Sequence, residues 1–539
     1  MKKNLYIANL LVAGLMTFTG CTDGFESDNA NKAGYTPELQ EYDLQKYVLN
    51  LGVMQQGIYF NYDWGKGTDW TFQTIQNLGH DMFAGYFHDM NNSFNDKNSV
   101  YALNDGWTGS AWTYTYGYIM TAAQKSEKIN QEQKGLLGVT KILKVELMHR
   151  IADTYGPIVY TKFGQEEGDN VDSQEAAYRQ FFKDLDEGVK LINEYKKANA
   201  ALEPFAAADI LMPAGKRTLS QWVKFANSLR LRLAIRVSMS APDLARAEVA
   251  KAMDATAGGV LESADETVAV STESGYKNPL GTVNEGWGEV FMGATMESVL
   301  VGYNDPRLIK YYSKAEGGDI KDEKGNLIIA ERNKIAGTYK GVTVKDENRY
   351  RLHSKSTITK QTDAILMTAA EVWFLRAEAA LRGFTSENVK DCYEKGITVS
   401  CQQWGVNVGD YLTSDATPSD YVDAFEAKYD VKALIKVTPK WDGGASPEEQ
   451  LERILTQKWI ACYPEGYEAW TEQRRTGYPQ LFKVFVNNSG GAIDTDIRRL
   501  PYPSDIQKNN PTQYSALKKA LGGEDNGGTR HWWDTGRNF

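Results

Sequence analysis

Cysteine, histidine and basic charge are all scarce in this chain. Four cysteines and five histidines among 539 residues leave little for a disulfide framework or a histidine-rich metal centre. Lys and Arg number 60 against 70 Asp and Glu, a net charge of -10. Without a basic excess to neutralise a phosphate backbone, nucleic acid is not an expected partner. Three signatures of chemistry are missing: the G-x-x-x-x-G-K-[ST] phosphate loop, the G-x-S-x-G elbow and the H-E-x-x-H zinc helix. No apolar run reaches the ~20 residues that cross a bilayer as a helix. Hydrophobic residues at 42% and charged residues at 24% nevertheless exclude a disordered chain.

What is abundant is aromatic: 13 Trp, 30 Tyr and 19 Phe. The N-terminus is also distinctive. Met1-Lys2-Lys3 precedes a mostly apolar stretch from Leu5 to Phe18, and Phe18-Thr19-Gly20-Cys21 follows. This resembles a signal peptide ending in the lipobox of bacterial lipoproteins, although Phe18 stands where Leu is usual. The expected organisation is a signal peptide over 1–20, a polar lipidated stalk over 21–34 starting at Cys21, and one body over 35–539. Loss of residues 1–20 removes two lysines, leaving 58 basic against 70 acidic residues, or -12. Cys392, Cys401 and Cys462 remain, and buried small hydrophobes are the favoured reading, with a Cys392–Cys401 bridge open.

Helical periodicity is strong in several segments. Apolar residues fall at 139, 142, 143, 147 and 151; at 178, 182, 185, 189 and 192; and at 222, 225, 226, 229, 233 and 237, where Thr218 or Ser220 can cap. Ile365–Leu381 reads as a largely buried helix. Ser446-Pro447-Glu448-Glu449 opens another with a cap, a proline at the first position and Glu at the third. Helix pairs of the tetratricopeptide kind are expected over roughly 35–257 and 363–480, without a clean 34-residue repeat. Between them, 258–362 is rich in Gly, Asn and Asp, with short β pieces at 327–330 and 341–344. A second aromatic loop region runs from Tyr59 to Tyr118.

His80-Asp81 and His88-Asp89 lie two helical turns apart, but no third ligand is suggested and no metal is assigned. Asp319, Asp322 and Asn326 do not fit a calcium loop. The aromatic loops are the better lead, because sugars stack C–H faces on rings and bond hydroxyls to amides and carboxylates. The candidates are Tyr86, Phe87, Asn91, Asn92, Phe94 and Trp107 in the first region, and Tyr276, Trp287 and Tyr303 in the second. For each ring taken alone core packing is the favoured reading, and Trp112 with Tyr116, at helical spacing, is assigned to the core outright.

Several segments together resemble the SusD/RagB-type outer-membrane lipoproteins, in a divergent SusD-like branch. They are Ile151-Ala-Asp-Thr-Tyr-Gly-Pro-Ile-Val-Tyr160, Lys224–Arg236, Asn304-Asp-Pro-Arg-Leu308, Ala369–Gly383, Gln457-Lys-Trp-Ile-Ala461, Glu468-Ala-Trp470, Arg474–Pro479, Arg498–Pro503 and Trp532-Trp-Asp534. The resemblance implies a mainly α scaffold of tetratricopeptide-like helix pairs under a loop-rich, partly β, ligand-binding face. It implies a non-enzymatic, cofactor-free surface lipoprotein of the outer membrane that captures an oligosaccharide and caps a SusC-like TonB-dependent transporter. Peptide capture is the alternative; a glycoside hydrolase or a pure assembly scaffold ranks lower. The regular motifs are expected to maintain the scaffold, so no ligand residue is carried over from them.

Overall fold

The computed structural model describes residues 45–61, 69–89, 91, 94, 96–165, 170–200, 202–316, 320–321, 324, 327–329, 337 and 352–539. The Cys21 lipobox, the stalk, Asn92, Asp319, Asp322, Asn326 and the piece at 341–344 lie outside them. From Tyr47 to Phe539 the chain forms one compact unit.

Helices dominate it. After α1 (Gln45–Gly57), four pairs are built from α2 (Lys134–Tyr155) with α3 (Gln174–Ala198), α4 (Leu219–Arg236) with α5 (Pro242–Ala252), α6 (Ala369–Leu381) with α7 (Val389–Gln403), and α8 (Pro447–Ala461) with α9 (Gly466–Thr476). The periodic positions at 139–151, 178–192 and 222–233 fall on such helices, with Val237 capping α4, and all but half-buried Val189 are buried. α2 and α3 approach closely because Gly138 and Gly188 face each other. A Cβ on Gly138 would lie 2.7 Å from the Gly188 carbonyl oxygen. Thr218, rather than Ser220, caps α4, accepting the Gln221 N–H at 3.2 Å. Ser446 and Glu449 close a reciprocal capping box on α8.

One expected helix is shorter at its start. Residues Ala364–Met367 form a strand antiparallel to Val268–Val270, and Thr368 then caps α6 by accepting the Glu371 N–H at 3.1 Å. The cap sets extended backbone at Thr368, so Ile365 to Met367 join the sheet instead of the helix.

The pairs are tied together by buried ions. Arg232 reaches Glu371 at 2.7 Å, joining the second pair to the third. Arg236 bonds Asp153 at 2.7 Å and Glu468 at 2.6 Å, reaching the first and fourth pairs. Arg475 meets Glu378 at 2.8 Å, closing the fourth pair on the third. Asp153 is the hub: it also accepts from the Tyr467 hydroxyl at 3.1 Å and the Trp533 indole at 2.8 Å. Removing these charges from water is costly, so each needs its full complement of partners. The motif segments therefore act as scaffold: Asp153, Arg232, Arg236, Glu468, Arg475 and Trp533 all come from them. Asn304-Asp-Pro-Arg-Leu308 is a corner, with Asn304 at φ +51° and Arg307 bonded through two nitrogens to Asp305 at 2.6 and 2.8 Å. Cys392, Cys401 and Cys462 are buried free thiols.

Candidate functional site

The two aromatic regions meet. Phe87–His88 pairs antiparallel with Phe291–Met292, and the Tyr276 hydroxyl donates to Asn61 Oδ1 at 2.7 Å. Asn91 Nδ2 donates to Glu289 at 3.0 Å, and Gln73 bonds the other oxygen of the same carboxylate. Asp69 is held by Asn61 and Thr282, while burial pushes its carboxyl above the ordinary range.

This stitching sorts the candidate rings. Tyr86, Phe87, Tyr276 and Tyr303 are at most 3% exposed. The Tyr86 hydroxyl is used by the Trp459 carbonyl, and that of Tyr303 donates to the Val437 carbonyl at 2.6 Å. These four are corrected to core: the three tyrosine hydroxyls are satisfied internally, and no face of any of the four rings reaches solvent to stack on a ligand. Phe94 and Trp107 are half-buried and pack edge to face at 5.2 Å. Trp107 sits in a short helix, Asp105–Thr108, capped by Asn104, whose side chain accepts the Trp107 N–H at 3.2 Å. Trp287 is 40% exposed, and Asn91 lies near it in the fold through Glu289. Trp112 packs at 4.6 Å from Tyr116 and is core, as its spacing suggests.

Two exposed rings of the first aromatic region were not singled out from the sequence: Trp70, 54% exposed, and Tyr118, 48% exposed. Both line a cleft of about 570 Å³ together with Asp105, Ser110, Thr113 and Asp505. Trp70, Tyr118 and Trp287 each lie on or next to a π-helical run. Trp70 lies in the turn leading into a wide π-helical run, Gln73–Asp81; Tyr118 lies within another, Thr115–Ile119; Trp287 ends a third, Thr282–Trp287. A π turn inserts a residue into the helical ladder and rotates the following side chains off the 3.6-residue face. Tyr118 and Trp287, on π runs, face outward in this way, whereas Trp70 stands in the turn just before its run. The third run is fixed in place by Asn284, whose amide donates to the carbonyls of Ser356 and Ile358, both at 2.8 Å.

The histidines do not form a metal pair. His80 stacks on Trp470 at 5.2 Å and bonds Gln76, with its pKa driven down by burial and by Arg150; His88 is on the strand facing Phe291. Among the described residues no group of three or more His, Cys, Asp or Glu is arranged to hold a metal. No described helix is long and apolar enough to cross a membrane.

The class of the fold is a stack of helix pairs that presents exposed aromatic rings on short helical turns. Similarity to known proteins narrows that class. The family model for SusD-like proteins, described as SusD and RagB outer membrane lipoproteins, matches residues 28–534. A solved SusD homologue from Bacteroides vulgatus is 52% identical, with a TM-score of 0.86 over 93% of this chain and 100% of its own. A chitin-binding SusD homologue from Flavobacterium johnsoniae is 35% identical, with a TM-score of 0.83 over 90% and 98% of the two chains. A SusD homologue from Bacteroides thetaiotaomicron is 28% identical, with a TM-score of 0.79 over 90% and 98%. No curated protein sequence matches. The chain belongs to the SusD-like family of outer membrane lipoproteins.

Proposed function

We propose that this protein captures a nutrient oligosaccharide at the cell surface without chemistry, held to the outer membrane by lipid on Cys21, and hands it to a SusC-like TonB-dependent transporter. The observation that carries the reading is the set of solvent-facing rings Trp70, Tyr118 and Trp287 on short helical turns. A rigid exposed ring supplies apolar area at little entropic cost, and its neighbours Asp105, Ser110, Thr113 and Asp505 offer the polar partners that sugar hydroxyls need. Stacking and hydrogen bonding suffice for capture and release. The chitin-binding relative makes chito-oligosaccharides the first ligands to try. Calorimetric titration of the purified protein with a glycan panel tests the reading. Saturable binding without new reducing ends supports it, whereas binding confined to peptides, or turnover of the glycan, would replace it.

A further inference from the structure

We infer that the Trp70–Tyr118 cleft selects glycans bearing free amino groups over neutral ones and turns away uronic acids; the inference rests on the glycan-capture reading. Its charge is one-sided. Two carboxylates, Asp105 and Asp505, line the cleft, and among the described residues that line it there is no Lys or Arg. Asp105 is held ready by Ser504, which donates its N–H at 2.8 Å to one carboxylate oxygen and its hydroxyl at 2.6 Å to the other. Asp505, on the next residue, is exposed and has no hydrogen bond or ion pair to any described residue. Its negative charge is thus met only by solvent or by ligand.

The rings point the same way. Trp70 and Tyr118 each expose about half their surface, and Tyr114 stands 5.3 Å from Tyr118 behind it. The face of an indole or phenol is electron-rich and attracts an ammonium group, while a sugar's apolar face stacks on it equally well. A hexosamine with a free amine satisfies both demands at once: its ring covers the aromatic and its ammonium reaches the carboxylates. A uronic acid offers the first contact and brings like charge to the second. The surrounding protein adds the same bias, since the chain carries a net charge of -10.

The test is a calorimetric titration of the full chain at mildly acidic pH with three oligosaccharides of equal length: a chitosan oligomer, its N-acetylated counterpart and an oligogalacturonate. The amine-bearing oligomer should bind about fivefold more tightly than the acetylated one, the scale of one ion pair near a wet surface. The uronate should bind most weakly, and salt should narrow the spread. Asp505→Asn should level the first two affinities, while Asp410→Asn, an exposed carboxylate outside the cleft, should leave the preference in place. Equal affinities for amine and acetamide, or a uronate that matches them, would overturn the inference and leave glycan capture standing. So would levelling by Asp410→Asn, because the preference would then belong to overall charge. Silence toward all three, with other glycans silent as well, would instead remove the capture reading beneath it.

Discussion

At the scale of single residues, exposure separates the rings that can meet a ligand from those that hold the body together. Trp70→Ala and Trp287→Ala should each weaken glycan binding by about 1–3 kcal/mol, as buried aromatic anchors at interfaces do. Titration calorimetry of each variant checks this, and unchanged affinity in both would remove them from the site. Tyr276→Phe should behave in the opposite way. It deletes one buried hydrogen bond to Asn61, so stability should fall by about 1 kcal/mol while affinity stays put. Asp153 and His149 set a pH window. The Arg236 guanidinium opposes desolvation and holds the Asp153 carboxyl below its ordinary range; the folded pKa is depressed, so its contribution is present above about pH 3.9 and is lost as pH falls through the depressed value. His149, buried between Glu146 and Asp153, is desolvated, yet those carboxylates raise its pKa. Its contribution is complete below about pH 6.5 and declines as pH rises through the elevated value. Thermal melts should therefore be highest between roughly pH 4 and 6.5, and a stability that climbs steadily above that range would contradict the His149 assignment.

At the scale of elements, the legible parts were those with a local cause. The apolar spacing of α2, α3 and α4 and the Ser446–Glu449 box are written within a few turns of chain, so they could be read directly. The strand at Ala364–Met367 could not, because its partner lies nearly a hundred residues earlier and its apolar run suits either structure. The candidate site was legible only in part. The two aromatic regions were marked by composition, and Trp287 among them is exposed. Trp70 and Tyr118 were missed, and Tyr86, Phe87, Tyr276 and Tyr303 misassigned, because orientation depends on π turns and long-range bonds that leave no periodic trace. Helix contact also makes a prediction here. Gly188→Ala would place a Cβ 3.0 Å from the Gly138 carbonyl oxygen and force α2 and α3 apart. Overpacking of this kind costs about 1–3 kcal/mol, visible as a lower melting temperature, and a variant as stable as the parent would show that the crossing has slack.

At the scale of the whole molecule, the division of labour is between a charged interior that fixes the helix pairs and an outer surface that carries the exposed rings. Buried pairs such as Arg236–Glu468 and Arg475–Glu378 each need their partner, so Arg236→Met should destabilise the body by about 3–5 kcal/mol through the stranded Asp153 and Glu468 carboxylates. The motif residues that reveal the family are these interior ones, which explains why family membership was readable while the ligand was not. The most direct test of the central claim is a calorimetric titration of the purified protein with chito-oligosaccharides, with an assay for reducing ends in the same sample. The account predicts saturable binding, weakened in Trp70→Ala and Trp287→Ala, with the oligosaccharide recovered intact. Cleaved product, or binding indifferent to both tryptophans, would contradict it.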